Sequence, residues 1–292
     1  MKDNRTPPQK IVKARHTGFC FGVKRAVGSA EKFLKKHKRA YSLGPIIHNP
    51  SVVEDLSSRG LEVISDIKRA KDSCLIIRSH GISPRLKEEA NNLSIDMLDA
   101  TCPFVKRSHT IVTKLKKENY KIVIIGEKNH PEVKALLEVA GPGALVATRE
   151  SDLNRLSLKN NKIAIVAQTT LLRDRFFRIV ESILQLNCLE YRIFDTICND
   201  VVQRQTEAKR LAKRVDLVFV VGGKISANTR HLAQICRQQG AKTYHIETAK
   251  ELRPSWIKPQ YLVGVVSGAS TPADIVENVV TKLKKINIAR RN

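Results

Sequence analysis

The spacing of three cysteines is the feature of this sequence that most restricts its fold. Each cysteine is followed 28 residues later by a polar side chain; the pairs are Cys20 and His48, Cys102 and His130, and Cys198 and Ser226. Each pair also has a third polar member further along, directly after an apolar run; these members are His80, Thr169 and Ser270. A spacing that recurs three times predicts three related structural units.

Short apolar runs rich in Val and Ile alternate with segments of helical spacing. The apolar runs are Ile11 to Ala14, Leu75 to Ile77, Ile122 to Ile125, Ile163 to Ala167, Leu217 to Val221 and Leu262 to Val266. The helical segments are Lys24 to Lys36, Val105 to Lys117, Arg173 to Leu186, Gln203 to Arg214 and Pro272 to Lys285. This alternation predicts buried parallel strands joined by helical crossovers.

We therefore predict an α/β fold of three units related by a pseudo-threefold axis. Each unit is expected to hold a small, mainly parallel sheet, and the three are expected to surround a central cavity. The predicted units span 20–101, 102–194 and 195–292, and an N-terminal strand within 10–19 joins the third. Ligands of open α/β sheets bind beyond the carboxyl ends of the strands, where most of the nine spaced residues fall.

Length and composition restrict the class of protein. A chain of 292 residues with 42% apolar residues can bury a large core. No apolar run approaches the roughly 18 residues of a membrane span, and Met1 to Lys10 has no apolar signal-peptide core, so we expect a cytoplasmic protein. Six cysteines are too few for a disulfide scaffold, and thiols that bind metal or fill the core are expected instead.

The chain carries a formal net charge of +24, from 52 Lys and Arg against 28 Asp and Glu. Such a surface attracts anions, whether nucleic acid, acidic proteins or phosphorylated small molecules. Aromatic residues make up only 5% of the chain, which is poor material for stacking bases. A generally basic, solvated surface without a specific partner remains an equal alternative.

The local sequence of the three spaced cysteines favours metal binding. Cys20 is flanked by glycines, Cys102 precedes a proline that can begin a helix, and Cys198 precedes a predicted helix in the weakest context of the three. No Cys-x-x-Cys pair is present, which argues against a zinc ribbon. An iron–sulfur cluster normally takes four thiolates, so three leave one iron open to substrate. The other cysteines are expected to be structural; they are Cys74, Cys188 and Cys236.

Several polar residues at predicted helix starts suit an anionic ligand. His48 and His130 lie just before prolines, and His80 follows an apolar run. The segment Gly222 to Thr229 leaves a strand and enters a helix, and Ser270 begins the last helical segment. Each of these features alone is also typical of ordinary capping. Together, three histidines and three polar helix starts predict a diphosphate site.

Glu132 is the candidate proton carrier. It falls near a predicted helix start, where a carboxylate also gains stability from the helix dipole. A neighbouring phosphate raises the pKa of a carboxyl group and favours the protonated form that a general acid requires. Thr169 is expected to orient a substrate hydroxyl or to pass a proton from Glu132.

The motifs together resemble the family of 4-hydroxy-3-methylbut-2-enyl diphosphate reductases along almost the whole chain. The matching motifs, in the order of the family, are Gly18-Phe19-Cys20, His48-Asn49, Ser79-His80-Gly81, Asp99-Ala100-Thr101-Cys102-Pro103, His130-Pro131-Glu132-Val133, Gln168-Thr169-Thr170, Ile197-Cys198, Ser226 with Asn228, and Gly268-Ala269-Ser270. The resemblance implies one [4Fe-4S] cluster on Cys20, Cys102 and Cys198, whose open iron binds the substrate hydroxyl.

The resemblance also implies a reaction and roles for residues. Two electrons and two protons remove water from an allylic diphosphate, and isopentenyl and dimethylallyl diphosphate form in the non-mevalonate isoprenoid pathway. Glu132 is implied to deliver protons with help from Thr169. The residues implied to hold the diphosphate are His48, His80, His130, Ser226, Asn228 and Ser270.

One motif departs from the family pattern: Ile225-Ser226-Ala227-Asn228 stands where Asn-Ser-[Ser/Gly]-Asn is usual. We expect binding to be retained, because Ala227 still offers a backbone N–H.

The basic charge favours an acidic electron donor such as ferredoxin or flavodoxin, and we expect a monomer with no specific nucleic-acid or membrane partner. Two alternatives remain: a family member of altered specificity, and a basic nucleic-acid-binding protein with a structural cluster.

Overall fold

Five of the six apolar runs of the sequence form inner strands of small parallel sheets, and the run at Ile11 to Ala14 forms an edge strand. The computed structural model describes residues 11–155, 161–258 and 260–289. Within these residues there are three four-stranded sheets, and every strand pairing in them is parallel. The predicted α/β class, with three small parallel sheets, is confirmed.

The chain divides into two compact units. One contains residues 21–47 and 51–198 and holds two of the sheets; we call it the two-sheet unit. The other contains residues 11–20, 48–50 and the described residues from 199 onward, and holds one sheet; we call it the one-sheet unit. The finer boundaries predicted at 101/102 and 194/195 stay a prediction, and residues 10 and 290–292 of the predicted third segment lie outside the described residues.

The two-sheet unit contains strands β2 to β9. Its first sheet has the order β3 (Leu61–Ile64), β2 (Ala40–Leu43), β4 (Cys74–Ile77), β5 (Asp96–Asp99). Its second sheet has the order β7 (Leu145–Ala147), β6 (Lys121–Ile125), β8 (Lys162–Ala167), β9 (Glu190–Phe194). The inner strands β6 and β8 are almost entirely buried, which explains their continuous apolar sequence.

The one-sheet unit is built on the order β1 (Ile11–Lys13), β12 (Val263–Ser267), β10 (Leu217–Val221), β11 (Lys242–Ile246). All residues of β10 and β12 are buried. The last helix packs its apolar residues, including Val276 and Leu283, onto the same core as Phe219. Burial of several such side chains contributes about 1.5–3 kcal/mol each relative to exposure.

The five helices that helical spacing predicts begin within four residues of their predicted starts. Their bounds are α1 (Phe21–His37), α2 (Pro50–Ser58), α3 (Pro84–Asn92), α4 (Pro103–Lys117), α5 (Pro131–Ala140), α6 (Arg173–Leu184), α7 (Asn199–Ala212), α8 (Ala227–Gln238) and α9 (Ala273–Ala289). Four of them start at a proline, whose fixed φ suits the first turn and whose missing N–H would have no partner there. Among the described residues, no helix is both long and apolar enough to cross a membrane.

The strands that the apolar runs do not predict are mostly edge strands. Five of these six strands lie at the edges of their sheets, namely β3, β5, β7, β9 and β11. An edge strand such as Glu190–Phe194 is only partly buried and carries charged residues, so it has no continuous apolar run. The sixth, β2, lies inside its sheet but contains only four residues with a serine among them.

Candidate active site

The residues singled out in the sequence lie beyond the carboxyl ends of strands. Thr169 follows β8 and Ser270 follows β12, in both cases within three residues of the strand end. His80 follows β4 in the same way, and Ser226 ends the turn after β10. Parallel strands of one sheet end at the same edge, which is where ligands of open α/β sheets bind.

Each of the three spaced cysteines directly precedes a helix in the chain. Cys20 comes before α1, Cys102 is the N-cap residue of α4, and Cys198 comes before α7. The positive end of a helix dipole lowers the pKa of a thiol and favours the thiolate that ligates metals. The local structure around all three therefore suits metal ligation.

In the two-sheet unit, a backbone hydrogen bond and a ring contact link Cys102 to the two predicted histidines. The backbone N–H of Cys102 donates to the carbonyl of Ser79, the residue before His80, over 3.0 Å. The rings of His80 and His130 meet edge to face, with centroids 5.4 Å apart and an interplanar angle of 84°. The structure thus brings together one predicted cysteine and two predicted phosphate ligands.

His130 is the N-cap residue of α5, and its ring fixes the start of that helix. Its Nδ1 accepts a hydrogen bond from the backbone N–H of Glu132 over 3.2 Å. A ring nitrogen that accepts carries no proton, so the neutral imidazole bears its proton on Nε2. Nε2 is therefore a hydrogen-bond donor, as an anionic ligand requires.

Glu132 and Thr169 form a buried hydrogen-bonded pair. Glu132 is only 1% exposed, and its Oε1 and Oε2 accept from the backbone N–H and the Oγ1 hydroxyl of Thr169, both over 2.7 Å. Burial raises the pKa of Glu132 from about 4.5 to about 7, although the two hydrogen bonds from Thr169 act in the opposite direction. A carboxyl group of this kind exchanges a proton near neutral pH.

The same threonine reaches the third predicted cysteine. The backbone N–H of Cys198 donates to the carbonyl of Thr169 over 2.9 Å. A continuous chain of contacts therefore runs through the two-sheet unit, in the order Cys102, Ser79, His80, His130, Glu132, Thr169, Cys198. Every candidate residue that the sequence predicts within this unit belongs to this chain of contacts.

In the one-sheet unit, Cys20, His48 and Ser270 are joined through short backbone contacts. The backbone N–H of Cys20 donates to the carbonyl of Ala269 over 3.0 Å. The hydroxyl of Ser270 donates to the carbonyl of His48 over 3.3 Å, and the side-chain amide of Asn49 donates to the carbonyl of Ser270 over 2.9 Å. The predicted ligands at residues 48 and 270 thus lie side by side.

Ser226 and Asn228 lie at the start of α8. The Oγ of Ser226 accepts from the backbone N–H of Thr229 over 3.4 Å. Asn228 is 3% exposed, and neither its side-chain nitrogen nor its oxygen has a hydrogen-bond partner among the residues that the structure describes. A buried amide without partners costs about 1–3 kcal/mol, which a bound polar ligand would offset.

The unusual residues of this motif do not obstruct Asn228. Ile225 projects its side chain to the surface, and its carbonyl accepts a hydrogen bond from Arg230 over 2.9 Å. Ala227 is the first residue of α8 and is buried. This arrangement is consistent with the expectation that the motif retains binding.

Gly22 lets the start of α1 approach the thiol of Cys102 without placing a side chain against it. A Cβ at this position would lie 2.4 Å from the Sγ of Cys102 and 3.1 Å from its Cβ, closer than nonbonded atoms approach. The soft sulfur ligand, its place at a helix start and the absence of a side chain at Gly22 all fit an iron–sulfur cluster.

Arg204 supports the one-sheet unit and has no signal in the sequence. It is buried, pairs with Asp200 over 2.7 Å, and donates to the carbonyls of His16, Gly18 and Ser267. These bonds fix the loop that leads to Cys20. Hydrogen bonds to backbone carbonyls leave no pattern of residue types, so spacing and composition do not reveal such a residue.

The cysteines outside the spaced set include one that is clearly structural. Cys236 is fully buried in α8, and burial raises the pKa of its thiol to about 12. The group stays protonated and does not ligate metal readily. Cys74 also has a raised pKa because of burial.

The geometry defines a class of α/β protein in which cysteines lie at helix starts, a buried carboxyl group has a pKa near neutral, and polar side chains are available to bind an anion. The chain belongs to the LytB protein family, whose model matches residues 11–284. The resemblance predicted from the sequence is confirmed.

Curated relatives are similar over nearly the whole chain. The 4-hydroxy-3-methylbut-2-enyl diphosphate reductase of Geobacter metallireducens is 41% identical over 281 residues, which cover 96% of this chain and 99% of the relative. The enzyme of the same name from Aquifex aeolicus is 43% identical over 281 residues, covering 94% and 96%.

Two solved structures are similar to this chain. One is an (E)-4-hydroxy-3-methyl-but-2-enyl diphosphate reductase described as the terminal enzyme of the non-mevalonate pathway; it is 41% identical, with a TM-score of 0.70 over 94% of this chain and 99% of that one. The other is the E-1-hydroxy-2-methyl-but-2-enyl-4-diphosphate reductase from Plasmodium falciparum, 30% identical, with a TM-score of 0.88 over 94% and 88%. An iron–sulfur centre is consistent with this family, and the nucleic-acid-binding alternative finds no support among these relatives.

Proposed function

We propose that this protein is a 4-hydroxy-3-methylbut-2-enyl diphosphate reductase. It removes the hydroxyl of (E)-4-hydroxy-3-methylbut-2-enyl diphosphate with two electrons and two protons and forms water with isopentenyl or dimethylallyl diphosphate. The observation that carries the proposal is the buried Glu132–Thr169 pair, whose carboxyl has a pKa of about 7. The names of the relatives support the same activity.

Glu132 and Thr169 are proposed to move the protons. When Glu132 is protonated, its carboxyl O–H donates to the Oγ1 of Thr169 across their 2.7 Å contact, and the threonine hydroxyl then donates to the substrate. A proton delivered to the substrate hydroxyl lets it leave as water. The second proton goes to one of two carbons of the remaining allylic group, which explains two products.

The substrate's diphosphate is proposed to be held by six polar residues. They are His48, His80, His130, Ser226, Asn228 and Ser270. The amide of Asn228 is buried without a partner among the described residues, and His130 presents Nε2 as a donor. Charge-assisted hydrogen bonds to phosphate oxygens are stronger than bonds between neutral groups, so these donors gain most from an anionic ligand.

Cys20, Cys102 and Cys198 are proposed to hold one [4Fe-4S] cluster with one iron left open. When bound, such a cluster supplies electrons one at a time and offers a Lewis-acidic iron to the substrate hydroxyl. The place of each cysteine directly before a helix supports this assignment, and so does the space at Gly22.

The remaining proposals concern the setting of the reaction. We propose a monomer that acts in the cytoplasm and receives electrons from an acidic carrier such as ferredoxin or flavodoxin. The net charge of +24 supports an acidic partner, because opposite charges accelerate association. Reduction by such a carrier should slow as ionic strength rises.

The test is anaerobic purification, iron and sulfide analysis, and assay with the allylic diphosphate and dithionite. We expect about four irons per chain, as in a cubane cluster, and formation of both products. A protein with a full cluster that forms neither product would contradict the proposal. Tight, steeply salt-dependent binding to DNA or RNA without turnover would favour the nucleic-acid alternative instead.

A further inference from the structure

Two exposed phenylalanines lie at the two helix starts that meet beside the thiol of Cys102 in the two-sheet unit. Phe21, the first residue of α1, is 66% exposed, and Phe104, the second residue of α4, is 38% exposed. Large aromatic side chains are usually buried, and when they stay exposed in a group they indicate a contact surface. Neither phenylalanine packs in the core or belongs to the proposed substrate site.

The two helix starts are held side by side by specific contacts. Gly22 faces Cys102 so closely that a Cβ would lie 2.4 Å from its Sγ. Arg25 donates from Nη1 to the carbonyl of Thr101 over 2.8 Å and from Nη2 to the carbonyl of Asp99 over 3.3 Å. The first turn of α1 is therefore fixed against the segment that leads into α4, and each of these two helix starts carries one of the exposed phenylalanines.

The rim of this surface is positively charged. Lys24 and Arg107 are exposed, and neither has an ion-pair partner in the part of the chain that the structure describes. The first turns of both helices contain no acidic residue. The acidic Asp99 is already paired with Lys106 over 2.5 Å. We define Phe21, Lys24, Phe104 and Arg107 as the docking surface.

We propose that the docking surface binds a small acidic electron-carrier protein. The inference rests on the proposed function, which requires electrons to reach a group held by Cys102. Electron transfer slows steeply with distance. Phe104 follows Cys102 by two residues, and Phe21 directly precedes Gly22, the residue that faces the Cys102 thiol. An apolar aromatic centre with a cationic rim matches a partner that surrounds its redox group with carboxylates.

Purified flavodoxin is the probe, and its affinity is measured by isothermal titration calorimetry at low salt. Replacing both aromatic rings, Phe21→Ser with Phe104→Ser, is expected to weaken binding about tenfold or more, as for central interface residues. Replacing both cations, Lys24→Gln with Arg107→Gln, is expected to weaken binding and to reduce its dependence on salt.

Matched controls come from the same unit. Leu189→Ser removes a side chain that is 71% exposed and precedes β9, at the amino end of that strand. Lys117→Gln removes an exposed cation at the last residue of α4, about 15 Å along the helix from Arg107. Both controls are expected to bind flavodoxin like the wild type. Equal losses in the controls, or unchanged binding in the docking variants, would overturn the proposal.

Turnover with dithionite separates this proposal from the proposed function. The docking variants are expected to keep their iron content, their thermal unfolding temperature and their rate with dithionite, and to lose rate only with flavodoxin. Absence of turnover with dithionite in the wild type would count against the proposed function. The docking proposal would then be decided by the calorimetric binding of flavodoxin alone. If the wild type binds neither flavodoxin nor a [2Fe-2S] ferredoxin, or if an oligonucleotide competes at the same residues, the docking proposal is wrong.

Discussion

The buried polar groups of the two units differ in how fully they are satisfied. In the two-sheet unit, both carboxyl oxygens of Glu132 accept hydrogen bonds from Thr169. In the one-sheet unit, the buried amide of Asn228 has no partner among the described residues. A satisfied group is held in place for chemistry before any ligand arrives, whereas an unsatisfied group costs stability until a ligand binds it. The first arrangement suits proton transfer and the second suits binding.

Removing the carboxyl group of Glu132 is expected to have the largest effect. Glu132→Gln keeps the shape of the side chain but cannot donate or take up the proton. We expect turnover to fall by a factor of about 10²–10⁴, the usual contribution of a general acid, with iron content unchanged. Glu138→Gln, near the end of the same helix and partly exposed, is the control and should keep full activity. Undiminished turnover in the Glu132 variant would refute its role.

The raised pKa of Glu132 also predicts how stability depends on pH. The pKa is about 4.5 in the unfolded chain and about 7 in the folded protein, so the folded state binds more protons between these values. The contribution of the protonated group is fully present below pH 4.5 and is lost as pH rises through about 7, a change of about 3 kcal/mol. Urea unfolding of the wild type and Glu132→Gln across this range measures it. Parallel curves for the two proteins would show that the folded pKa is not raised.

The space beside Cys102 can be tested with two glycines of one helix. Gly22→Ala places a Cβ 2.4 Å from the thiol, whereas a Cβ at Gly28 meets nothing within 4 Å. We expect Gly22→Ala to lose bound iron and about 1–3 kcal/mol of stability through overpacking. Gly28→Ala should keep its iron and gain about 0.5–1 kcal/mol because alanine favours the helix. Iron analysis and thermal unfolding distinguish the two, and full iron loading in the Gly22 variant would contradict the steric argument.

Replacing Asn228 tests whether its unsatisfied amide binds the diphosphate. Asn228→Ala removes an amide that nothing in the described chain satisfies, so the substrate-free protein should be no less stable than the wild type. The KM for the diphosphate should rise about tenfold or more, because the lost hydrogen bonds are to a charged ligand. Asn278→Ala, on an exposed position of α9 in the same unit, should change neither quantity. A clear loss of stability in the Asn228 variant would mean that the amide is satisfied without ligand.

The same contrast explains how much of the molecule the sequence predicts. Inner strands such as β8 and β10 are predicted because burial on both faces requires a continuous apolar run. Edge strands such as β9 are missed because their exposed face permits charged residues. The cysteine, histidine and acid positions are predicted because their chemistry demands particular residue types at helix starts and strand ends.

Residues that act through the backbone are not predicted in this way. Arg204 holds the loop before Cys20 by donating to three carbonyls, and Asn49 donates to the carbonyl of Ser270. Carbonyl groups occur in every residue, so no residue type marks their acceptors. The space that Gly22 provides depends on the approach of a distant segment and is likewise visible only in the fold.

The smallest expected effect comes from the hydroxyl of Thr169, which shifts the pKa of Glu132. The hydrogen bonds from Thr169 lower the pKa of Glu132 against the effect of burial, because they stabilise the ionised carboxylate. Thr169→Val removes the side-chain bond but keeps the backbone N–H bond, so the pKa should rise further, by about one unit or less. The alkaline limb of kcat against pH should therefore move to higher pH, whatever the loss in maximal rate. Thr170→Val, at the neighbouring residue, is the control and should leave the alkaline limb in place. If the alkaline limb moves to lower pH in the Thr169 variant, the hydroxyl stabilises the protonated form of Glu132 instead.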